Sequence, residues 1–455
     1  MSERDREADR LSGRLMRYAS VGGGMGTAVA RIAAGRFMGV EAGSSAEAKL
    51  LSAALGNLKG PLMKVAQLLA TVPDILPEAY IAELQKLQAE APAMGWAFVR
   101  RRMAAELGAD WQSKFASFEK TAAHAASLGQ VHRAVSHEGN ALAVKLQYPD
   151  MESAVEADLS QLDLIFAIHR RMNPAIDTRE MGSEIGARLR EELDYEREAK
   201  HIRLYTDILR DEPDIHVPQS IPALSTRRLL TMQWLEGRKL LDYKDSDLAI
   251  RNRLAALLFT AWWRPFCGHG VIHGDPHLGN YAAALDEAGE PQGLNLLDYG
   301  CIRIFPPTFV QGVVDLYHGL KDDDRARVVH AYETWGFANL SNELIDILNI
   351  WAQFIYGPLM EDRVRAIADG VSPAAYGRKQ AFTVHRALKE HGPVRVPREF
   401  VFMDRAAIGL GAVFIHLRAE MNFYRLFNTA LEGFSVEAVA SRQDQALAAA
   451  QLSRP

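Results

Sequence analysis

The 455-residue chain is 48% hydrophobic and sets 52 Lys and Arg against 57 Asp and Glu, a formal net charge of −5. Its length fits about two to three average domains or one large two-lobed enzyme with a sizeable core, and it lacks the overall basic field of a nucleic-acid binder. Two cysteines, Cys267 and Cys301, are too few for a disulfide framework and read as ordinary thiols of a reducing compartment. No stretch reaches the roughly 18 uncharged apolar residues of a membrane span, and the opening MSERDREADR is unlike a signal peptide, so a cytoplasmic location is expected.

Residues 10–40 carry Arg10, Arg14, Arg17, Arg31 and Arg36 and no acid, around the triplet Gly22-Gly23-Gly24. Such a segment suits an anionic lipid surface, at the inner face of a membrane, and equally an amphipathic helix covering the main body. From Ala46 to Leu107 the pattern is helical, interrupted at VPDILPE. Strand patterns follow at 128–135, 141–147 and 228–235, with helical periodicity over 152–172 and 178–210. After Glu236-Gly237 the chain reads as mainly helical, apart from short runs around 271–273 and 294–298. A strand-rich front joined to a helical back suggests two lobes with a cleft.

The chemistry concentrates in a few motifs. In NALAVKLQYP, alternation puts Leu142, Val144 and Leu146 on one strand face and Ala141, Ala143, Lys145 and Gln147 on the other. A lysine in so apolar a strand needs an anion, a phosphate or a carboxylate, unless it lies on the wet face of an edge strand. In REELDYEREAKH, continuous helical spacing groups Glu191, Asp194 and Glu198 on one face, either solvated or met by cations. LNLLDYG ends an apolar run in Asp298, where an acid can hold a metal ion and Gly300 lets the backbone turn. HGDPHLGN holds His273, Asp275 and Asn280 at offsets 0, 2 and 7.

That spacing resembles the H-x-D-x-x-x-x-N catalytic loop of protein kinases, with Asp298 in the place of the D-F-G aspartate. Lys145, Glu198, Asp275, Asn280 and Asp298 also follow the kinase order. In that scheme Lys145 holds the α- and β-phosphates of ATP (or ADP), Glu198 orients it, Asn280 and Asp298 bind Mg2+, and Asp275 polarises the attacking hydroxyl or water. Two other readings stay open: a transition-metal site of His273, Asp275 and His277, and a loop without chemistry.

Further motifs narrow the resemblance. TAAHAASLGQVH offers Ala122, Ala123, Ala125, Ala126 and Ser127 where a phosphate loop has glycines, and upstream Lys64 and Gln67 lie one helical turn apart. With AVK at 143–145, ELDYEREA at 192–199, HGDPHLGN and LLDYG in order, the chain resembles the UbiB family of atypical kinase-like ATPases associated with quinone biosynthesis. The resemblance implies an α+β, bilobal protein-kinase-like fold with an N-terminal helical extension and a mainly helical C-lobe. Its expected divisions are a basic segment 1–45, the extension 46–115, an N-lobe 116–236 with an inserted helix, and a C-lobe 237–455.

It further implies that Lys64 and Gln67 belong to an extension lying across the substrate cleft and met by Glu192 and Asp194. Glu198 would pair with Lys145, and Ala125, Ala126, Ser127, Gln233 and Leu235 would line the nucleotide. The implied function is a magnesium-dependent ATPase supporting ubiquinone or prenyl-lipid metabolism, with protein phosphorylation restrained by the extension. Implied partners are a nucleotide and prenyl-quinone precursors or other isoprenoid lipids, with peripheral membrane contact through residues 10–40 and no nucleic acid. Four departures stand out: Ala66 for the glycine of K-x-G-Q, His124 within the alanine run, Leu278 for a proline and Tyr299 for the D-F-G phenylalanine. The alternatives are a small-molecule phosphotransferase resembling aminoglycoside and choline kinases, and a catalytically silent nucleotide-binding scaffold.

Overall fold

The computed structural model describes residues 94–454 apart from 127, 157–158, 160–185, 338, 369, 373–375, 378–379, 381, 385 and 388–397. The described chain begins with α1 (Trp96–Leu107), β1 (Ser117–Phe118), β2 (His124–Ala126), β3 (Gly129–Val135), β4 (Ala141–Gln147) and α2 (Tyr195–Ile208). Strands β5 (Ile215–His216), β6 (Leu229–Gln233) and β7 (Gly237–Lys239) lead to the long α3 (Leu248–His269). Next come β8 (Val271–His273), β9 (Tyr281–Leu285), β10 (Pro291–Leu296) and β11 (Ile302–Ile304). Helices α4 (Pro307–Lys321), α5 (Arg325–Thr334) and α6 (Asn342–Tyr356) follow. The chain closes with β12 (Arg365–Ala366), α7 (Arg398–His416), β13 (Glu420–Met421), α8 (Phe423–Ala430) and α9 (Val436–Ala450).

Two compact units emerge, and the described residues of the first fall within 94–174, 178–196 and 221–231. The described residues of the second fall within 197–220 and 232 onward, so α2 and β6 each contribute residues to both. Unit 1 is built on a sheet of order β1-β3-β4-β6, with β2 folded back on β3. The alternation read from the sequence produces β3, β4 and β6, but the sheet order makes β4 an interior strand, which removes the edge-strand reading of Lys145. Trp96, Trp111, Phe115 and Phe118 pack edge-on or tilted against one another in this unit. Nearby, the half-buried Glu106 receives hydrogen bonds from Arg102, Arg228 and Thr226 and ties α1 to the turn before β6.

Unit 2 is not as uniformly helical as the sequence pattern led us to expect. A four-stranded sheet of order β5-β10-β9-β7 and a β8-β11 pair occupy its front part. β9, sequence YAAAL, is built largely of alanine, which carries little strand signal of its own; its pairing with β10 supplies the preference. Helix α3 is the core, burying Trp262, Trp263 and Phe266, and ends at Gly270, whose φ of +65° makes the left-handed cap that turns the chain into β8. Gln443 of α9 donates to the carbonyls of His269 and Phe305 and fastens both sides of that turn. Among the described residues no helix is long and apolar enough to cross a membrane.

Candidate active site

In unit 1 the strand ladder places Lys145 opposite Val131, with Gly129 opposite Gln147 two rungs on. Lys145 is buried at 8% exposure, and its Nζ lies 5.1 Å from the centroid of the Tyr195 ring. Gln147, on the same strand face, donates from Nε2 to the Leu193 carbonyl at 3.1 Å. The strand thus anchors the segment that leads into α2. Gly129 is dictated by crowding, since a Cβ there would come within 2.1 Å of the Leu146 carbonyl oxygen. The end of the alanine run is a strand: β2 pairs Ala125 with Gln130 and Ala126 with Gly129, and Ala125 is exposed. His124 is exposed too, and Ser127 lies outside the described residues.

One expected grouping is corrected. The helix over 186–191 stops, residues 192–194 form a turn, and α2 starts at Tyr195, so Glu191, Asp194 and Glu198 do not share a helical face. The cause is non-local: the Tyr195 N–H is drawn to the Arg227 carbonyl at 3.0 Å, and the Asp194 N–H bonds back to Glu191 in a tightened final turn. Glu191 pairs with Arg188 at 2.6 Å. Glu192 and Asp194 are half-buried in the turn.

Unit 2 assembles the remaining candidates. His273 closes β8, and its ring makes two bonds that fix its tautomer. Nδ1 accepts the Asp275 N–H at 3.2 Å, so Nε2 carries the proton and donates to the Asp298 carbonyl at 2.8 Å. A Cβ on Gly274 would meet the Cys301 carbonyl oxygen at 2.9 Å, which explains the glycine after His273. Asn280 donates from Nδ2 to the Asp275 carbonyl at 3.1 Å, and Tyr281 donates its hydroxyl to the same oxygen at 3.3 Å. The β9–β10 ladder pairs Tyr281 with Leu296, and one step further the Leu297 N–H donates to the Asn280 carbonyl at 2.9 Å. That hairpin brings Asn280 beside the segment carrying Asp298. Asp298 accepts the Gly300 N–H on Oδ1 at 3.0 Å. Glu198 is buried on the α2 part that belongs to unit 2, Gln233 is exposed at the end of β6, and Leu235 is half-buried.

The charges of these carboxylates converge on buried tyrosines. Burial pushes the Tyr281 hydroxyl well above the ordinary phenol range; the hydrogen bond from Trp262 opposes this, and Asp275 and Asp298 reinforce it. Burial does the same to Tyr299, with further contributions from Tyr205, Asp298, Tyr281 and Glu198. Both phenols therefore stay protonated donors beside acids.

The transition-metal reading fails on this geometry. His273 uses both ring nitrogens, the exposed His277 uses Nδ1 to accept the Gly279 N–H, and no group of three or more His, Cys, Asp or Glu suited to a metal exists among the described residues. Magnesium makes a smaller demand, one or two oxygen ligands with phosphates and water completing its shell. Asn280 fits it, because committing Nδ2 to the Asp275 carbonyl leaves its amide oxygen as the atom that could serve a metal, on a residue whose backbone carbonyl accepts the N–H of Leu297, the neighbour of Asp298. Cys267 and Cys301 are buried thiols, and burial raises Cys267 well above the ordinary thiol range. Lys64, Gln67, Ala66 and residues 10–40 lie outside the described residues. Sequence reasoning missed Tyr195, Tyr281, Trp262 and His201, which act through contacts distant in the chain.

The sequence model of the ABC1 atypical kinase-like domain matches residues 86–332, more than half of the chain. The chain belongs to this family. The UbiB resemblance drawn from its motifs is the same assignment. Among ABC1 relatives, the Synechocystis protein sll1770 is 29% identical over 386 residues, covering 83% of this chain and 63% of that protein. The mitochondrial atypical kinase COQ8 of Saccharomyces cerevisiae is 27% identical over 255 residues, 56% of this chain and 50% of that one. The mitochondrial atypical kinase COQ8B of Rattus norvegicus is 28% identical over 370 residues, 76% and 69% of the two chains. This ABC1 chain thus spans about half to two thirds of these relatives. A solved structure, Rv3197 of Mycobacterium tuberculosis in complex with erythromycin, matches with a TM-score of 0.58 and 24% identity over 85% of this chain and 95% of that one. Together these establish the α+β kinase-like fold.

Proposed function

We propose that this ABC1-family chain is a magnesium-dependent ATPase acting in ubiquinone or related prenyl-lipid metabolism, with protein phosphorylation restrained by the segment carrying Lys64 and Gln67. The observation that carries the reading is the unit 2 constellation: Asp275 on a loop held by His273, and Asn280 joined across the β9–β10 hairpin to the segment of Asp298. Kinship with COQ8 proteins supports the metabolic setting.

In this reading Asp298 and the amide oxygen of Asn280 hold Mg2+, which when bound neutralises phosphate charge. Asp275 orients the attacking water or hydroxyl and takes its proton. The Asp275 backbone is kept still by three contacts, from His273, Asn280 and Tyr281. Lys145 engages the α- and β-phosphates, with Glu198 as its orienting acid; its ammonium is pre-set by an interior strand and the Tyr195 ring. Ala125, Ala126, Ser127, Gln233 and Leu235 complete the nucleotide contacts. Residues 10–40, with five arginines and no acid, provide contact with an anionic membrane.

The test is Mg2+-dependent ADP release from ATP, with and without anionic liposomes and a phenol mimicking a quinone precursor, for the wild type and Asp298→Asn. The expected result is lipid- or phenol-stimulated turnover that the substitution lowers on the order of a hundredfold or more. Absence of turnover while ATP still raises the melting temperature would replace this reading with a silent scaffold. Labelled phosphate recovered on a small alcohol would replace it with a phosphotransferase. Failure to co-sediment with anionic vesicles at low salt would remove the membrane contact.

A further inference from the structure

His201 plays no part in the reading above, yet it is 2% exposed on α2, and its Nδ1 lies 2.9 Å from the Tyr299 carbonyl oxygen. A carbonyl only accepts, so Nδ1 carries the proton and donates. The preceding carbonyl, that of Asp298, is held in the same way by His273 at 2.8 Å. Two imidazoles from separate elements thus grip two consecutive peptide planes. Because a peptide is rigid, fixing the planes on both sides of one Cα fixes φ and ψ of the residue between them, here Tyr299.

The side chain of Tyr299 is held as well. Tyr205, four residues after His201 on α2, meets the Tyr299 ring edge-on at 5.5 Å, and the Tyr299 hydroxyl donates to the Leu296 carbonyl at 3.1 Å. Three residues before His201 on the same helix stands Glu198.

We propose that His201 is a positioning residue for Asp298. By holding the peptide after Tyr299, it keeps the Asp298 carboxylate in one orientation and joins the Asp298-Tyr299-Gly300 turn to the helix that carries Glu198. While that bond is intact, a shift of the helix carries the turn with it, so the metal-holding acid and Glu198 move together; breaking the bond uncouples them. The role in metal binding rests on the magnesium reading proposed above; the mechanical coupling does not.

The test compares the full-length wild type, His201→Leu and His201→Asn, since Asn and Leu are close in size but only Asn offers a donor near the Nδ1 position. Amide hydrogen exchange over residues 297–303, measured without metal or nucleotide, reads the coupling directly. Mn2+ binding in the presence of ADP, followed by electron paramagnetic resonance, reads its consequence. His201→Leu is expected to raise exchange and weaken Mn2+ about 5- to 10-fold, the effect of losing one buried hydrogen bond, while His201→Asn stays within about 3-fold of the wild type on both.

A folded His201→Leu with wild-type exchange overturns the proposal, as does His201→Asn performing no better than Leu. Should His201→Leu fail to fold, nitrogen NMR of histidine-labelled wild type decides: the proposal requires a proton on Nδ1 of His201, and the Nε2–H tautomer refutes it. If the wild type binds no Mn2+ with ADP, the magnesium reading falls, while the exchange comparison still decides the role of His201.

Discussion

Lys145 and Asp298 are both candidate phosphate-handling residues, but the molecule positions them by different means. Lys145 is carried by an interior strand, so its place follows from the β3–β4 register and from a lack of room around it. Asp298 lies in irregular backbone after β10, where the main chain has no ladder of its own and side chains take over. Regular backbone satisfies itself and leaves the side chain to chemistry, whereas irregular buried backbone must recruit donors. Substitutions that harm the first region should therefore act by crowding, and those that harm the second by leaving buried groups unpaired.

The largest effect expected is at Gly129. Alanine there would drive Cβ into the Leu146 carbonyl oxygen, 2.1 Å away on the strand of Lys145. Backbone on both sides cannot yield without parting the ladder, so Gly129→Ala should cost about 3 kcal/mol or more, read as a lost or strongly lowered urea midpoint. Wild-type stability would show that the β3–β4 register does not set the place of Lys145.

Next comes His273→Leu, which keeps bulk but leaves the Asp298 carbonyl and the Asp275 N–H without their partner. Each orphaned buried group costs roughly 1–3 kcal/mol, so a loss of about 3 kcal/mol is expected by the same measurement. A loss below about 1 kcal/mol would mean that water replaces the imidazole and that the second region is less dependent on recruited donors than its geometry implies.

These two residues also mark what was legible in the sequence. Alternation in ALAVKLQ and GQVHRAV reported β3 and β4 because period two is a local property, and HGDPHLGN with LLDYG reported the loop because its residue types are unusual in that spacing. The break at 192–194 was invisible, since it comes from the Tyr195 N–H reaching Arg227, thirty-two positions away by subtraction of the residue numbers. β9 was hidden by its alanines. His201 gave no signal at all: a histidine one turn beyond a glutamate on a charged helix looks like another solvated residue until Tyr299 is folded against it.

Acid should separate the units further. Burial pulls His269 down to about 4 from the ordinary 6.5, and Arg442, Arg264 and Arg210 push the same way. The unfolded chain then binds a proton between those limits that the folded one refuses, so stability is full above about pH 6.5 and falls progressively toward pH 4. The shift corresponds to at most about 3 kcal/mol, and smaller values are expected where solvent screens the ring. His132 of unit 1 is also lowered, by burial, against the opposing hydrogen bond and charge of Glu119. His269→Leu should flatten most of the fall in melting temperature between pH 7.5 and 4.5. An unchanged slope would assign the acid sensitivity to other histidines lowered by burial, His132 of unit 1 or His318 and His416 of unit 2.

Tyr299→Phe is the smallest and most discriminating change. It restores the D-F-G phenylalanine and removes only the hydroxyl bond to Leu296, at 3.1 Å within a fully buried ring. A stability loss of about 1 kcal/mol is expected, one neutral hydrogen bond with its carbonyl left unpaired. Metal affinity should change less than about twofold, because the carbonyls that orient Asp298 are still held by His273 and His201. The hydroxyl would then be a brace for the end of β10 and the imidazoles the devices that aim the acid. A fall in Mn2+ affinity as large as that from His201→Leu would reverse this ranking, making the hydroxyl bond to Leu296 rather than the grip on the peptide planes the part that sets the direction of Asp298.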